Sequence, residues 1–126
     1  MSHVSDMHCR IRDITTAEEV LAERFSHLEL RRNKTHHTWW GHWVGDSTPP
    51  PGRDPKDYGT CEHTIGRKGR KPTDGPGGEY EIGLRPALDG DGYDLLLDTY
   101  TASGQALARD LPRFKQEYAA KVAEKR

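Results

Sequence analysis

The residue types best suited to chemistry crowd together between Arg31 and Trp43, a run that holds all three tryptophans of the chain together with Arg31, Arg32, Lys34, His36, His37 and His42. If this run is a strand, alternate residues share a face: His37, Trp39, Gly41 and Trp43 on one side, His36, Thr38, Trp40 and His42 on the other. One face then packs into the core. The other displays the Trp40 indole between His36 and His42. A flat π surface beside imidazole and guanidinium groups suits stacking on a base while Arg31, Arg32 and Lys34 hold phosphate. The competing expectation is structural, with two tryptophans in the core and Trp40 covering the sheet edge.

A second cationic feature follows at Gly66-Arg67-Lys68-Gly69-Arg70-Lys71-Pro72. Its glycines would let backbone N–H groups approach an anion, and Arg67, Lys68 and Arg70 would add charge. The Gly-x-x-x-x-Gly-Lys-Ser/Thr spacing of a P-loop is absent. A solvated loop with no ligand has the same composition. The two features reinforce each other only if they meet on one side of the molecule.

Other chemistries find less support. His3, His8, Cys9, His36, His37, His42, Cys61 and His63 offer metal-ligating atoms, but zinc sites favour closely spaced ligand pairs. His8-Cys9 and His36-His37 are adjacent, so on a strand each pair points to opposite faces. No metal or cofactor is expected. Cys61 and His63 imitate a thiol–imidazole pair without an oxyanion hole, and Asp94 and Asp98 share a strand face without further catalytic context. Gly-x-Ser-x-Gly and His-Glu-x-x-His are both missing. No catalytic residue is assigned, and the expectation leans away from an enzyme.

The elements that must position these groups are legible from periodicity. His8 to Asp13 alternates as a strand. Thr15 and Glu18 fit a capping box, and Ala17, Val20, Leu21 and Phe25 predict an amphipathic helix over 16–26. Leu28-Glu29-Leu30 opens a strand that turns near Asn33, and Thr35–Val44 follows as an aromatic, β-branched strand. Residues 45–58 form a loop around Pro49, Pro50 and Pro51, and Thr60–Ile65 a short strand. Residues 66–78, with five glycines, read as a flexible loop. Tyr80, Ile82 and Leu84 predict a half-buried strand, Asp89 to Gly92 a hairpin turn, and Leu95 to Leu97 a central strand covered on both sides. Leu107, Leu111, Phe114, Tyr118 and Val122 trace a helical stripe. Pro112 suits only a first turn, so the helix is expected over 111–125.

The fold class is therefore α+β: an antiparallel sheet of about five or six strands with two helices packed on it, in a single domain spanning 1–126. A net charge of -1, from 19 basic and 20 acidic residues, provides no global field toward nucleic acid or membrane, so any anion site must be local. No run approaches a membrane span, and Met1 to Asp6 lacks the pattern of a signal peptide. A cytoplasmic location with Cys9 and Cys61 as free thiols is expected.

Four segments carry a family likeness: Met1-Ser2-His3, Tyr80-Glu81-Ile82-Gly83-Leu84, Gly92-Tyr93-Asp94-Leu95-Leu96-Leu97-Asp98 and Phe114-Lys115-Gln116-Glu117-Tyr118-Ala119. In that order they resemble the hypothetical chloroplast reading frame thirty-five family, small proteins of plastids, cyanobacteria, other bacteria and tailed phages. Across Trp39 to Gly78 the chain carries its own Pro-rich and basic loops. The resemblance implies a compact α+β domain from a bacterial or phage source, and no catalytic residues.

Together these readings point to a non-catalytic protein binding a phosphate-bearing, base-containing ligand through Arg31, Arg32, Lys34, His36, Trp40, His42, Arg67, Lys68 and Arg70. One version is a phage sponge for a nucleotide immune signal in an infected host cytoplasm. The alternatives are a protein–protein interaction module, such as an inhibitor of a host enzyme, and single-stranded nucleic-acid binding. A homodimer would place two basic loops around one ligand.

Overall fold

The computed structural model describes residues 4–40 and 59–125. The expected loop at 45–58, together with His42 and Trp43, lies outside the described residues. Seven elements follow in order: β1 (Val4–Ile11), α1 (Ile14–Arg24), β2 (Leu28–Arg31), β3 (His63–Arg67), β4 (Ile82–Pro86), β5 (Tyr93–Asp98) and α2 (Ala102–Glu124). The strands form one antiparallel sheet in the order β1-β5-β4-β3-β2, which is the α+β architecture expected from the sequence.

Side-chain alternation assigns the two sheet faces. Leu28, Ile65, Ile82, Leu84, Leu95 and Leu97 pack with Val20 and Leu21 of α1 and with Leu107, Leu111, Phe114 and Tyr118 of α2. Both helices therefore cover the same face. Leu96 points the other way and is sealed beneath Trp39, with Trp40 packed alongside. The expectation that β5 is covered on both sides is met by these two clusters. The turn Asp89–Gly92 joins β4 to β5 with Gly90 at φ 81° and Gly92 at φ 76°, which L side chains rarely adopt. No helix among the described residues is long and apolar enough to cross a membrane.

β1, β3 and β4 run over Val4–Ile11, His63–Arg67 and Ile82–Pro86 rather than starting at His8, Thr60 and Tyr80, and three further differences concern the helices and the tryptophan segment. The α1 cap is Asp13 rather than Thr15. The Asp13 carboxylate accepts from both the Thr16 backbone N–H (3.1 Å) and hydroxyl (2.6 Å), satisfying two donors with one side chain. These bonds hold the Asp13 carboxyl below the usual range. Helix α2 starts at Ala102 instead of 111, capped by Thr101, whose hydroxyl accepts from the Gly104 N–H. Pro112 thus sits inside the helix, on its exposed side, and leaves the Ala108 carbonyl one turn earlier without its amide donor.

The third correction concerns the tryptophan segment. Within the described residues, 35–40 is no strand and makes a single isolated bridge, His36↔Thr60. His37, Thr38 and Trp39 are buried consecutively, which a strand with one solvent face cannot achieve. They form an irregular strap over the second sheet face. Gly83 makes room for it: a Cβ there would stand 2.2 Å from His37 Nδ1.

Candidate functional site

The expected loop over 66–78 begins within β3, and Gly66 and Arg67 are strand residues. A Cβ on Gly66 would lie 2.6 Å from Arg31 Nη1, so this glycine admits a guanidinium from β2 rather than an external anion. Arg31 donates to Glu81 (2.6 Å), to Glu29 (3.0 and 2.9 Å) and to the carbonyls of Arg67 (3.1 Å) and Arg70 (3.3 Å). Its side chain is 15% exposed. Glu81, at 2% exposure, also accepts from the Thr64 hydroxyl (2.8 Å) and the Thr38 N–H (3.2 Å). This network binds the strap to the sheet.

The remaining cations separate into two groups. Arg32 donates to Glu18 and Thr15 at the α1 side, while Arg67 forms a two-pronged bond to Glu79 at 2.6 Å for both contacts. Lys34, Lys68 and Arg70 are exposed and form no ion pair among the described residues. They do not converge. The Lys68 N–H donates to the His27 carbonyl just before β2, whereas the Lys34 N–H donates to Glu62 past its other end.

The strap meets the β3–β4 connection at Asp74, Gly75 and Glu79, and not at the cationic Gly66–Lys71 run that the binding expectation required. Asp74 accepts from the Trp39 N–H (2.9 Å) and lies 3.2 Å from His36 Nε2. The Gly75 N–H donates to the Trp39 carbonyl (3.0 Å), and the Thr38 hydroxyl to the Glu79 carbonyl (2.7 Å). The connection thus brings carboxylates and backbone to the aromatic segment. Trp40 is half-buried, its ring edge-on to exposed Tyr100 at 4.8 Å and its N–H donating to Asp98. Of the nine candidate binding residues, Arg31 reaches the backbone carbonyls of Arg67 and Arg70, and His36 and Trp40 lie on the strap. Arg32, Lys34 and Lys68 lie apart, and His42 is outside the described residues.

The pseudo-catalytic pairs dissolve on inspection of their surroundings. Burial pushes the Cys61 thiol up to about 12, which removes thiolate character at neutral pH. His63 accepts from the Asn33 N–H and packs edge-on against Tyr93. Asp94 lies 3.7 Å from Arg10, while fully buried Asp98 accepts from the Trp40 and Tyr100 N–H groups. No group of three or more His, Cys, Asp or Glu among the described residues is placed to hold a metal.

Burial, and then repulsion from His36, push the fully enclosed His37 ring down to about 3. An unfolded histidine titrates near ~6.5, so between there and ~3 the unfolded chain carries a proton that the native one lacks. Stability is therefore flat above this window with respect to His37 and falls on acidification by about 1.4 kcal/mol per pH unit within it. Urea unfolding from pH 7 to 4 should show this slope reduced by that amount in His37→Gln. Parallel profiles for the two proteins would refute it.

A different surface is open at the sheet edge. β2 is the outermost strand, and a groove of about 360 Å³ runs beside it, lined by Leu21 and Ala22 of α1 and Leu28 and Leu30 of β2 together with Glu18, Ser26, Glu29 and Lys68. The register Leu28↔Arg67 and the bond from Lys68 N–H to His27 carbonyl fix the phase of the ladder. Odd-numbered residues 27, 29 and 31 bond inward to β3, so the backbone groups of Leu28 and Leu30 point outward. The Leu28 N–H is taken by the Phe25 carbonyl at 2.9 Å. Among the described residues nothing bonds to Leu30 from outside, or to the Arg32 N–H.

Family models, curated proteins and solved structures give no match to this chain.

The edge was the feature least visible beforehand. The alternation in Leu28-Glu29-Leu30-Arg31 identifies a strand with an apolar and a charged face, but its place at the rim depends on β3 pairing with β4, which local sequence does not encode.

Proposed function

We propose that this protein is a non-catalytic interaction module that takes an extended protein segment along the outer edge of β2. The observation that carries this reading is the outward-facing Leu30 backbone beside a groove in which Leu21, Ala22, Leu28 and Leu30 alternate with charged and polar groups. An added strand gains main-chain hydrogen bonds at such an edge, and alternate side chains enter the groove. The cation placement adds support, because Arg31, Arg32 and Arg67 are committed to Glu81, Glu18 and Glu79 rather than gathered toward a phosphate.

Panning a displayed library of extended peptides on the protein tests the reading. Recovered peptides should perturb the Leu30 amide in NMR spectra and lose at least tenfold in affinity with Leu30→Pro. Proline is tolerated on an edge strand where the amide faces solvent, so this variant removes the docking donor without requiring a lost ladder bond. Peptides that bind equally well to Leu30→Pro would overturn it. The nucleotide-binding reading keeps one favourable observation, half-buried Trp40 beside exposed Tyr100. Calorimetric heat with nucleotides, but none with peptides, would favour it instead.

A further inference from the structure

We infer that the segment seated on this edge is the β2 strand of a second copy, an inference that rests on the docking reading above. Two identical edges can pair antiparallel about a two-fold axis, each supplying what the other lacks. Three neighbouring registers keep the outward Leu30 groups bonded. With the axis at Glu29, the glutamates of the two copies oppose each other; with the axis at Arg31, the arginines do. Like charges directly opposite are destabilising. With the axis at Leu30, the Glu29–Arg31 ion pair within each copy (2.9 Å) lies across from the same pair of the partner in reverse order, so no like charges stand directly opposite. Charge therefore selects one register out of three.

That register also satisfies the backbone. The two Leu30 residues exchange both bonds, and each Arg32 N–H reaches the partner's Leu28 carbonyl. The Leu28 N–H is already committed to Phe25, so it needs no partner in the new ladder. On the helix-covered side, the partner's Leu30 enters the groove between Leu21, Ala22 and Leu28. The product is one continuous sheet through both copies, with the four helices on one face and both straps on the other.

Sedimentation velocity over roughly 5–500 μM, a range bracketing micromolar association, should resolve a monomer–dimer equilibrium. Glu29→Arg sets an arginine opposite the partner's Arg31 and should raise the midpoint concentration at least tenfold. Glu29 is half-buried and leaves the Leu30 amide untouched, so this variant remains informative if Leu30→Pro fails to fold by circular dichroism. The Leu30 amide should exchange more slowly in concentrated than in dilute wild-type protein. A monomer at every concentration, or a dimer indifferent to Glu29→Arg, overturns the inference. A monomer that still binds panned peptides at Leu30 defeats only the self-pairing, whereas a monomer that binds neither defeats the docking reading too.

Discussion

Replacing Gly104 with alanine should destabilise the protein by about 3 kcal/mol, although the same change in an ordinary helix interior stabilises it by roughly 1 kcal/mol. The sign reverses because of what the new methyl would meet. A Cβ at Gly104 stands 2.1 Å from the Asp98 carbonyl oxygen and 3.1 Å from both the Asp98 carbonyl carbon and the Thr99 Cα. These are backbone atoms, so no rotamer change relieves the clash. Either the first turn of α2 lifts off the end of β5, or β5 shifts. Shifting Asp98 would also disturb the carboxylate that receives the Trp40 and Tyr100 N–H groups. Urea denaturation of Gly104→Ala against the parent measures the difference directly. A variant as stable as the parent would refute the close approach of helix and strand.

The second large effect is expected at Glu81. Truncating Glu81 to alanine should cost about 3–5 kcal/mol, because it leaves the Arg31 guanidinium mostly enclosed without its nearest carboxylate. It also removes the acceptor for the Thr64 hydroxyl and the Thr38 N–H. The loss therefore falls on three elements at once: β2, β3 and the strap. Converting both partners, Arg31→Met with Glu81→Leu, should recover at least half of that loss, since an apolar pair avoids stranding a charge. Thermal melts of the two variants decide the matter. Should Glu81→Ala cost less than about 1 kcal/mol, the pair is acting as a solvent-screened surface bridge and the account is wrong.

How far the fold could be read from sequence depended on whether the deciding contacts were local. Ala17, Val20, Leu21 and Phe25 announced α1 because a 3.6-residue period is written into adjacent turns. Its exact cap is not legible locally, because Thr15-x-x-Glu18 imitates a capping box while Asp13 gains by accepting two bonds from Thr16. For α2, the stripe through Leu107 is legible in the sequence, whereas Pro112 suggests a helix start that the fold does not use. Proline's cost is reduced on an exposed helix face, and burial of Leu107 beside Gly104 holds the extra turns. The tryptophan segment misled more deeply. Its β-branched and aromatic residues have strand propensity, yet the hollow at Gly83 and the side chain of Leu96 determine its path, and both are far away in the chain. The candidate site suffered accordingly: the cations were visible, but their carboxylate partners were not, since Glu18, Glu79 and Glu81 are brought to them only by tertiary pairing.

The strand order has a bearing on how the molecule reaches this state. β1 is the edge strand opposite β2 and pairs only with β5 in the sheet, so it has no ladder partner until residues 93–98 have emerged from the ribosome. The amides that open the turn into α1, at Arg12 and Asp13, await the Tyr118 hydroxyl, and Glu23 and Glu19 await Lys121 and Lys125, about a hundred residues later. Such distant pairings make acquisition of structure slow relative to a helical bundle of equal size. Residues 4–32 must stay dispersed during translation, and their charged residues, with Glu18, Glu19, Glu23, Arg24, Arg31 and Arg32 flanking the apolar positions, limit premature association in the meantime.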